Sequence, residues 1–423
     1  MTTKKITALF VFGFSIVFAQ GSMESYSLSL QKYAEKDTAA YLKYAQQAFK
    51  LAPTQPDFAA NLAKAFAVAG KKKECIEMLD DIAVLGFDYD VEQDSGFINV
   101  WKHSLLKNIV GTSKHKAHTV AGTLAFIIRE KDLISEGLAY DPRTNIFYIS
   151  SIYKRKIVAL LPDGSANDFT TEAGDGLKGT LGMKVDGARN QLWVLSAVQS
   201  PRPKIANANE IGTSIVHQYD LETRRVIRTY TPNDTIHHMF NDLTILATGD
   251  VYLTDSEEGA IYKIDRRNNS LQRWYKRETM IYPNGITVSP DQKFLFVAHW
   301  AGISRISLAD TQEVLLTTKV KTTLVGVDGL YFYRNGLIAV QNSAGPQSRV
   351  MRFSLNDKYD VVQSSRILES DNPLYNIPTT GVIVGDEFYF IANSQLASFG
   401  SDGKIFPMDK LQPTYILKLK LEE

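Results

Sequence analysis

One phrase recurs six times along the last two thirds of this chain, and it restricts the fold more than any other feature of the sequence. A polar residue, usually followed by Gly, opens a short apolar strand. A turn of Gly, Asn, Asp or Pro follows, and a second apolar strand comes after it. The copies are SEGLAYDPRTNIFYISS from Ser135, LGMKVDGARNQLWVLS from Leu181 and FNDLTILATGDVYLTDS from Phe240, then PNGITVSPDQKFLFVAHW from Pro283, VDGLYFYRNGLIAVQNS from Val327 and TTGVIVGDEFYFIANSQ from Thr379. Further strand-like runs follow most copies, as at Ile215–Tyr219, Ala260–Asp265 and Arg349–Ser354. Short β-branched and aromatic runs punctuated by turn residues at this interval predict four-stranded antiparallel blades. The expected fold is an all-β six-bladed β-propeller over 120–423, with the segment Thr123–Arg129 supplying the strand that closes the ring.

The chain has 423 residues, enough for a second unit, and 44% hydrophobic against 22% charged residues is ordinary for a globular protein. A formal net charge of +1 gives no basic excess to attract nucleic acid. Cys75 is the only cysteine, so an internal disulfide is excluded, and a buried small hydrophobe is its simplest role. Lys4 and Lys5 precede an apolar run from Ile6 to Phe18, with Val17 and Ala19 before Gln20. That order reads as a signal peptide over 1–19 and a secreted or periplasmic destination. The run is too short to cross a hydrocarbon core of about 30 Å, so no membrane span is expected in the mature chain.

Between 25 and 115 the periodicity is helical. Tyr41, Tyr44, Ala45, Ala48 and Phe49, and then Leu62, Ala63, Phe66, Cys75, Leu79 and Ile82, recur at three- and four-residue spacing. Pro53 ends one run, Pro56 opens the next, and Gly70 separates two helices ahead of Lys71–Lys73. The spacing resembles tetratricopeptide repeats, of which only about two units are visible. A small helical domain that caps the propeller or docks a protein partner is the expectation.

In a propeller the first strand of each blade lines the central channel, so the residue opening each copy lies at one channel mouth. That register gives Glu136, Leu181, Asn241, Asn284, Asp328 and Thr380. Glu136, Asn241, Asn284 and Asp328 offer oxygen and no soft ligand, which suits a hard cation: Ca2+ first, Mg2+ second. Asn and Asp beside Gly also make turns, but turns explain a Glu in the same ring less well. The loops that follow the second strands, with Ser196, Asp255, His299, Asn342 and Asn393, are expected to return to the same mouth as candidate substrate contacts. His237 and His238 precede the third copy, where either could act as a general base or simply sit in a polar loop. Asp242 stands where most copies have Gly, and reads as a carboxylate positioned beside the metal. The sequons Asn233–Asp234–Thr235 and Asn268–Asn269–Ser270 matter only if the source glycosylates.

The phrases SEGLAYD, FNDLTI, PNGITVSPD and VDGLYF resemble the senescence-marker-protein/gluconolactonase (regucalcin-like) family, whose architecture paraoxonases and diisopropylfluorophosphatase share. The resemblance runs from Leu133 to the C-terminus and implies one catalytic divalent cation at the channel mouth. By motif, Glu136, Asn284 and Asp328 match metal ligands, Asn241 a further ligand or substrate-binding amide, and Asp242 a substrate-binding carboxylate. It also implies hydrolysis of lactones, esters or organophosphates, with Asp328 as base or nucleophile. The arginine that gluconolactonases often place before the Asn-Asp pair is absent; Met239 and Phe240 stand there, favouring a more apolar substrate. The reading is therefore a calcium-dependent lactone or ester hydrolase with catalytic Asp328 and Asp242, and with Asn241, Asp242, His299 and Asn342 binding substrate. The alternative is a non-catalytic binding propeller with a structural calcium and a helical partner-docking module.

Overall fold

The computed structural model describes residues 14–199, 208–400 and 403–421. Most of the expected signal peptide, residues 1–13, lies outside them. Five α-helices come first: α1 (Phe14–Ala34), α2 (Thr38–Leu51), α3 (Pro56–Val68), α4 (Lys72–Leu85) and α5 (Leu106–Ala117). Asp37 caps α2 by accepting the Ala40 N–H, Pro56 occupies the first turn of α3, and Gly86 ends α4 in the left-handed region at φ 79°. Each helix packs on the next around Ala63, Cys75, Leu79 and Ile82. Cys75 is fully buried there, and burial pushes its thiol up to about 12. Among the described residues, no helix is long and apolar enough to cross a membrane.

The rest of the described chain forms six β-sheets arranged as the blades of a propeller. Blade 1 begins with the inner strand Ser135–Asp141, blade 2 with Gly179–Asp186 and blade 3 with Phe240–Ile245. Blade 4 begins with Ile286–Val288, blade 5 with Val327–Tyr333 and blade 6 with Gly381–Val384. The ring closes as the sequence predicts. Thr123–Ile128, from the start of the β region, pairs antiparallel with the C-terminal strand Thr414–Lys420 and becomes the outer strand of blade 6. Blade 5 carries an extra outer strand, Thr317–Thr318, parallel to Val361–Ser370.

The recurring Gly has a packing cause. A Cβ on Gly137 would stand 2.1 Å from the Leu181 carbonyl oxygen, and one on Gly285 would stand 2.3 Å from that of Asp328. Inner strands of neighbouring blades meet backbone to backbone at Gly137 and Gly285, where a side chain would collide with the facing carbonyl. Apolar side chains fill the wedges between blades. Trp193, Leu195 and Val216 of blade 2, for example, pack on Leu243, Leu253 and Tyr262 of blade 3.

The helical segment lies on the mouth side of blades 4 and 5. Gln55 Nε2 donates to the Trp300 carbonyl at 3.0 Å, and the Phe58 and Trp300 rings lie 6.4 Å apart. Thr323 Oγ1 donates to the Thr54 carbonyl at 3.2 Å. Gln347 exchanges two hydrogen bonds with the Asp88 backbone, at 2.9 and 2.8 Å. Phe87 packs on Val325 and Ala344.

Candidate metal centre at the channel mouth

Glu136, Asn241, Asn284 and Asp328 line one cavity of about 130 Å³, together with Ile152, Leu181, Ala197, Gln199, Met239 and Leu396. Thus the four oxygen-bearing residues taken from different copies of the repeat converge. Thr380, from the same register, does not line the cavity. Its Oγ1 donates to the Glu136 carbonyl at 2.5 Å, and Thr379 does likewise at 3.1 Å, so the blade-6 threonines hold the backbone of Glu136.

Three buried oxygen atoms in this cavity, Glu136 Oε2, Asn284 Oδ1 and Asp328 Oδ1, have no hydrogen-bond partner among the described residues. Leaving such acceptors dry is costly, and convergent orphans in one cavity are what a cation or tightly held water would satisfy. Asn241 turns its nitrogen away, donating to Ser256 Oγ at 2.9 Å, so the atom it can offer the cavity is Oδ1. Ser256 in turn donates to the Pro283 carbonyl at 2.5 Å, next to Asn284.

The electrostatics match this oxygen-only set. Burial, and then the carboxylates of Asp328 and Asp242, hold Glu136 well above the usual carboxylate range, against the Lys184 ammonium. Burial also pushes Asp328 up to about 6, although the Asn342 and Asn284 amides oppose the shift. A divalent positive charge would reverse both shifts. The donor set therefore fits a hard cation, with Glu136, Asn241, Asn284 and Asp328 holding it.

The remaining candidates lie elsewhere. Asp242 is 2% exposed and does not line the cavity. Its carboxylate accepts the N–H groups of Leu243 at 2.8 Å and Ile286 at 3.4 Å, between the inner strands of blades 3 and 4. Lys184 Nζ lies 4.0 Å away, over the Tyr331 ring at 4.8 Å. Asp242 thus occupies the backbone-packing position held by Gly in other blades, where its side chain fills space between strands rather than facing the mouth.

The second-strand residues also turn away. His299 Nε2 bonds Ser304 Oγ at 2.9 Å, which donates to Glu313, and burial holds the imidazole down at about 4. Asn393 bonds the backbone of Pro413 and Tyr415, Ser196 bonds the Ile215 carbonyl, and Asp255 bonds His238. Asn342 comes closest, donating to Asp328 Oδ2 at 2.5 Å and to the Pro378 carbonyl at 3.0 Å. It holds Asp328 in place instead of lining the cavity. In blade 2 the lining residue is Ala197, next to the expected Ser196. Ile152, one residue past the second strand of blade 1, and Ala197, the last residue of the second strand of blade 2, are the ones that reach the mouth.

Neither candidate histidine lines the cavity. His237 is exposed, against Gly212. His238 is held between Asp255 Oδ2 at 2.5 Å and Asp234 Oδ1 at 2.8 Å. With Asp255 and Glu258 it forms a cluster whose potential ligand atoms lie within 4.8 Å of one another. Glu258, however, already meets Arg273 at 2.6 Å, Lys276 at 3.0 Å and Tyr262 at 2.6 Å. That cluster is a satisfied charge network, in contrast to the mouth.

Fold and site together define a six-bladed propeller with an oxygen-donor centre at one end of its channel. The family description SMP-30/Gluconolactonase/LRE-like region matches residues 134–360, more than half of the chain, and the chain belongs to that family. None of the curated proteins compared with it matches. Similar solved structures include a gluconolactonase from Xanthomonas campestris, at 15% identity and TM-score 0.48 over 72% of this chain and 96% of that one. A calcium-binding regucalcin from Agrobacterium tumefaciens gives 14% identity and TM-score 0.46, over 72% and 97%. Virginiamycin B lyase from Staphylococcus aureus gives 14% and 0.46, over 71% and 100%. Likenesses this distant assign no activity.

Proposed function

We propose that the protein is a calcium-dependent hydrolase of a lactone or ester. The observation that carries this reading is the set of three unpartnered buried oxygens, from Glu136, Asn284 and Asp328, in one cavity. When bound, a divalent cation supplies the positive charge that polarises a carbonyl oxygen. Asp328, oriented by Asn342, is the carboxylate placed to act as base or nucleophile. Asp242 adds negative charge one layer deeper, tempered by Lys184. Ile152, Leu181, Ala197, Met239 and Leu396 form an apolar wall facing the oxygens. That wall favours a substrate whose carbonyl sits on a hydrocarbon body over one rich in hydroxyls, because hydroxyls desolvated there would lack partners. The family match supports the same reading.

The test is hydrolysis of a panel of aliphatic lactones, aryl esters and sugar lactones, with added calcium and then with chelator. Activity that is lost with chelator and restored by calcium, strongest on the aliphatic lactones or esters, supports the proposal. A panel without turnover, although calcium binds, moves the reading to a binding propeller. That second reading draws on the helical segment beside the mouth, which would dock a protein partner.

We also propose export, on the strength of Lys4, Lys5 and the apolar run to Phe18. The residues 14–34 form one helix that crosses the expected cleavage point after Ala19. N-terminal sequencing of the mature protein tests this; a chain retaining Met1 refutes it.

A further inference from the structure

Arg349 is fully buried, yet among the described residues no carboxylate pairs with it. Its Nη1 donates to the Leu85 carbonyl, in the last turn of α4, at 2.6 Å. Its Nε donates to Gln341 Oε1 at 2.8 Å, and the Phe87 ring lies 3.9 Å beneath the guanidinium. Nη2 is buried without a hydrogen-bond partner. The charge is balanced by the partial negative end of α4 and by an aromatic face, both from the helical segment. A buried charge so placed costs stability relative to an apolar side chain of the same size, so packing alone does not account for it.

The network continues toward the mouth. Gln341 Nε2 donates to the carbonyls of Thr323 at 3.0 Å and Val325 at 2.8 Å. The next residue, Asn342, donates its backbone N–H to the Gly326 carbonyl at 3.1 Å and its side-chain N–H to Asp328 Oδ2 at 2.5 Å. Gly326 itself is left-handed, at φ 65°, and a Cβ there would stand 2.3 Å from the Ala344 nitrogen, so this turn admits no side chain. Phe87 also packs directly on Val325 and Ala344, at either side of the turn.

We propose that Arg349 is a positioning residue: through Gln341 it lets the helical segment fix the turn that aims Asp328 into the cavity. The helical segment is then a working part of the mouth, and docking of α4 and cation binding at Asp328 are thermodynamically linked. The cation half of this statement rests on the metal reading proposed above; the turn-ordering half does not.

The test uses the full chain as wild type, R349M, R349K and, as control, K321M, which removes the exposed Lys321–Asp81 contact between the same two parts. Amide hydrogen exchange is measured without added metal, and calcium affinity by titration calorimetry. R349M is expected to speed exchange across 326–342 by tenfold or more and to weaken calcium about tenfold. R349K, which keeps the charge but loses the fork, is expected to fall between, and K321M to match wild type. If R349M does not fold, R349K against wild type reads the same quantity. Wild-type exchange at Gly326–Asp328 and Asn342 in both Arg349 variants, whatever their melting temperatures, overturns the proposal. Calcium that fails to bind wild type overturns the metal reading alone, because the exchange measurement still decides the role of Arg349.

Discussion

Asp328, in the first strand of blade 5, and Asn342, the residue that follows the second, are joined by a 2.5 Å hydrogen bond from the Asn342 amide to Asp328 Oδ2. The bond occupies one carboxylate oxygen and leaves Oδ1, which has no partner, directed to the cavity. N342A is expected to keep the fold and weaken calcium roughly tenfold, as loss of an outer support typically does. Titration calorimetry with calcium, set beside thermal unfolding, checks this; unchanged affinity would mean that Asp328 needs no such support.

Calcium affinity should also depend on pH. Without a cation, Asp328 holds its proton up to about 6, and a ligand must lose that proton to bind. Because the folded-state pKa is raised above the unfolded one, Asp328 makes the metal-free chain less stable as pH rises from about 4 to 6. Bound calcium removes that loss. The rise in melting temperature on saturation with calcium is therefore expected to be larger at pH 7 than at pH 5, with proton release on binding near pH 6. A calcium-induced rise that is flat across this range would contradict the assignment.

His299 titrates with the opposite consequence. Burial holds its imidazole down at about 4, below the ordinary histidine value. The folded chain resists protonation there, so this residue contributes stability that is present above the unfolded pKa of ~6.5 and is lost as pH falls toward 4. H299Q should flatten that part of the acid denaturation curve. Denaturant titrations at several pH values compare the two slopes.

Among the described residues, Lys184 is the ammonium that opposes the buried carboxylates of Asp242 and Glu136. K184M is expected to strengthen calcium binding roughly threefold to tenfold and to cost the metal-free chain roughly 1–3 kcal/mol. Weaker calcium binding in a folded K184M protein would show that Lys184 does not compete with the cation.

Gly137 tests the contact between inner strands. An alanine Cβ would fall 2.1 Å from the Leu181 carbonyl oxygen, a backbone atom with little room to yield. G137A is expected to cost about 3 kcal/mol and to disturb Glu136 beside it. Thermal unfolding that matches wild type would mean that the blades shift apart easily.

The sequence made the architecture legible because a propeller repeats one solution to burying a small sheet, and each copy carried the same strand and turn chemistry. Glu136, Asn241, Asn284 and Asp328 were legible for the same reason, since one register recurring around a ring must meet at the axis. His299 and Asn393 do not line the cavity because each spends its polar atoms locally, His299 on Ser304 and Asn393 on the backbone of Pro413 and Tyr415, partners that strand spacing does not disclose. Ile152 and Ala197 carried no signal beyond being apolar. Asp242 replaces a glycine that marks a close approach between strands, a packing constraint that the repeat pattern does not disclose. Arg349 could not be found at all. Its partners Leu85, Phe87 and Gln341 come from segments that only the folded chain brings together.

The pairing of Thr123–Ile128 with Thr414–Lys420 also sets an order of events during synthesis. The first strand leaves the ribosome soon after the helices, and its partner is made only after the rest of the propeller. Through the translation of five blades, Thr123–Ile128 waits without its native neighbour, an apolar edge open to any strand that meets it. The helical segment, whose contacts are local, can fold during that interval, but its footing on blades 4 and 5 does not yet exist. The newborn chain therefore passes its longest vulnerable period as a folded helical head trailing an unclosed ring, and any factor that protects it should recognise Leu124 and Ile127, which stay exposed even after closure.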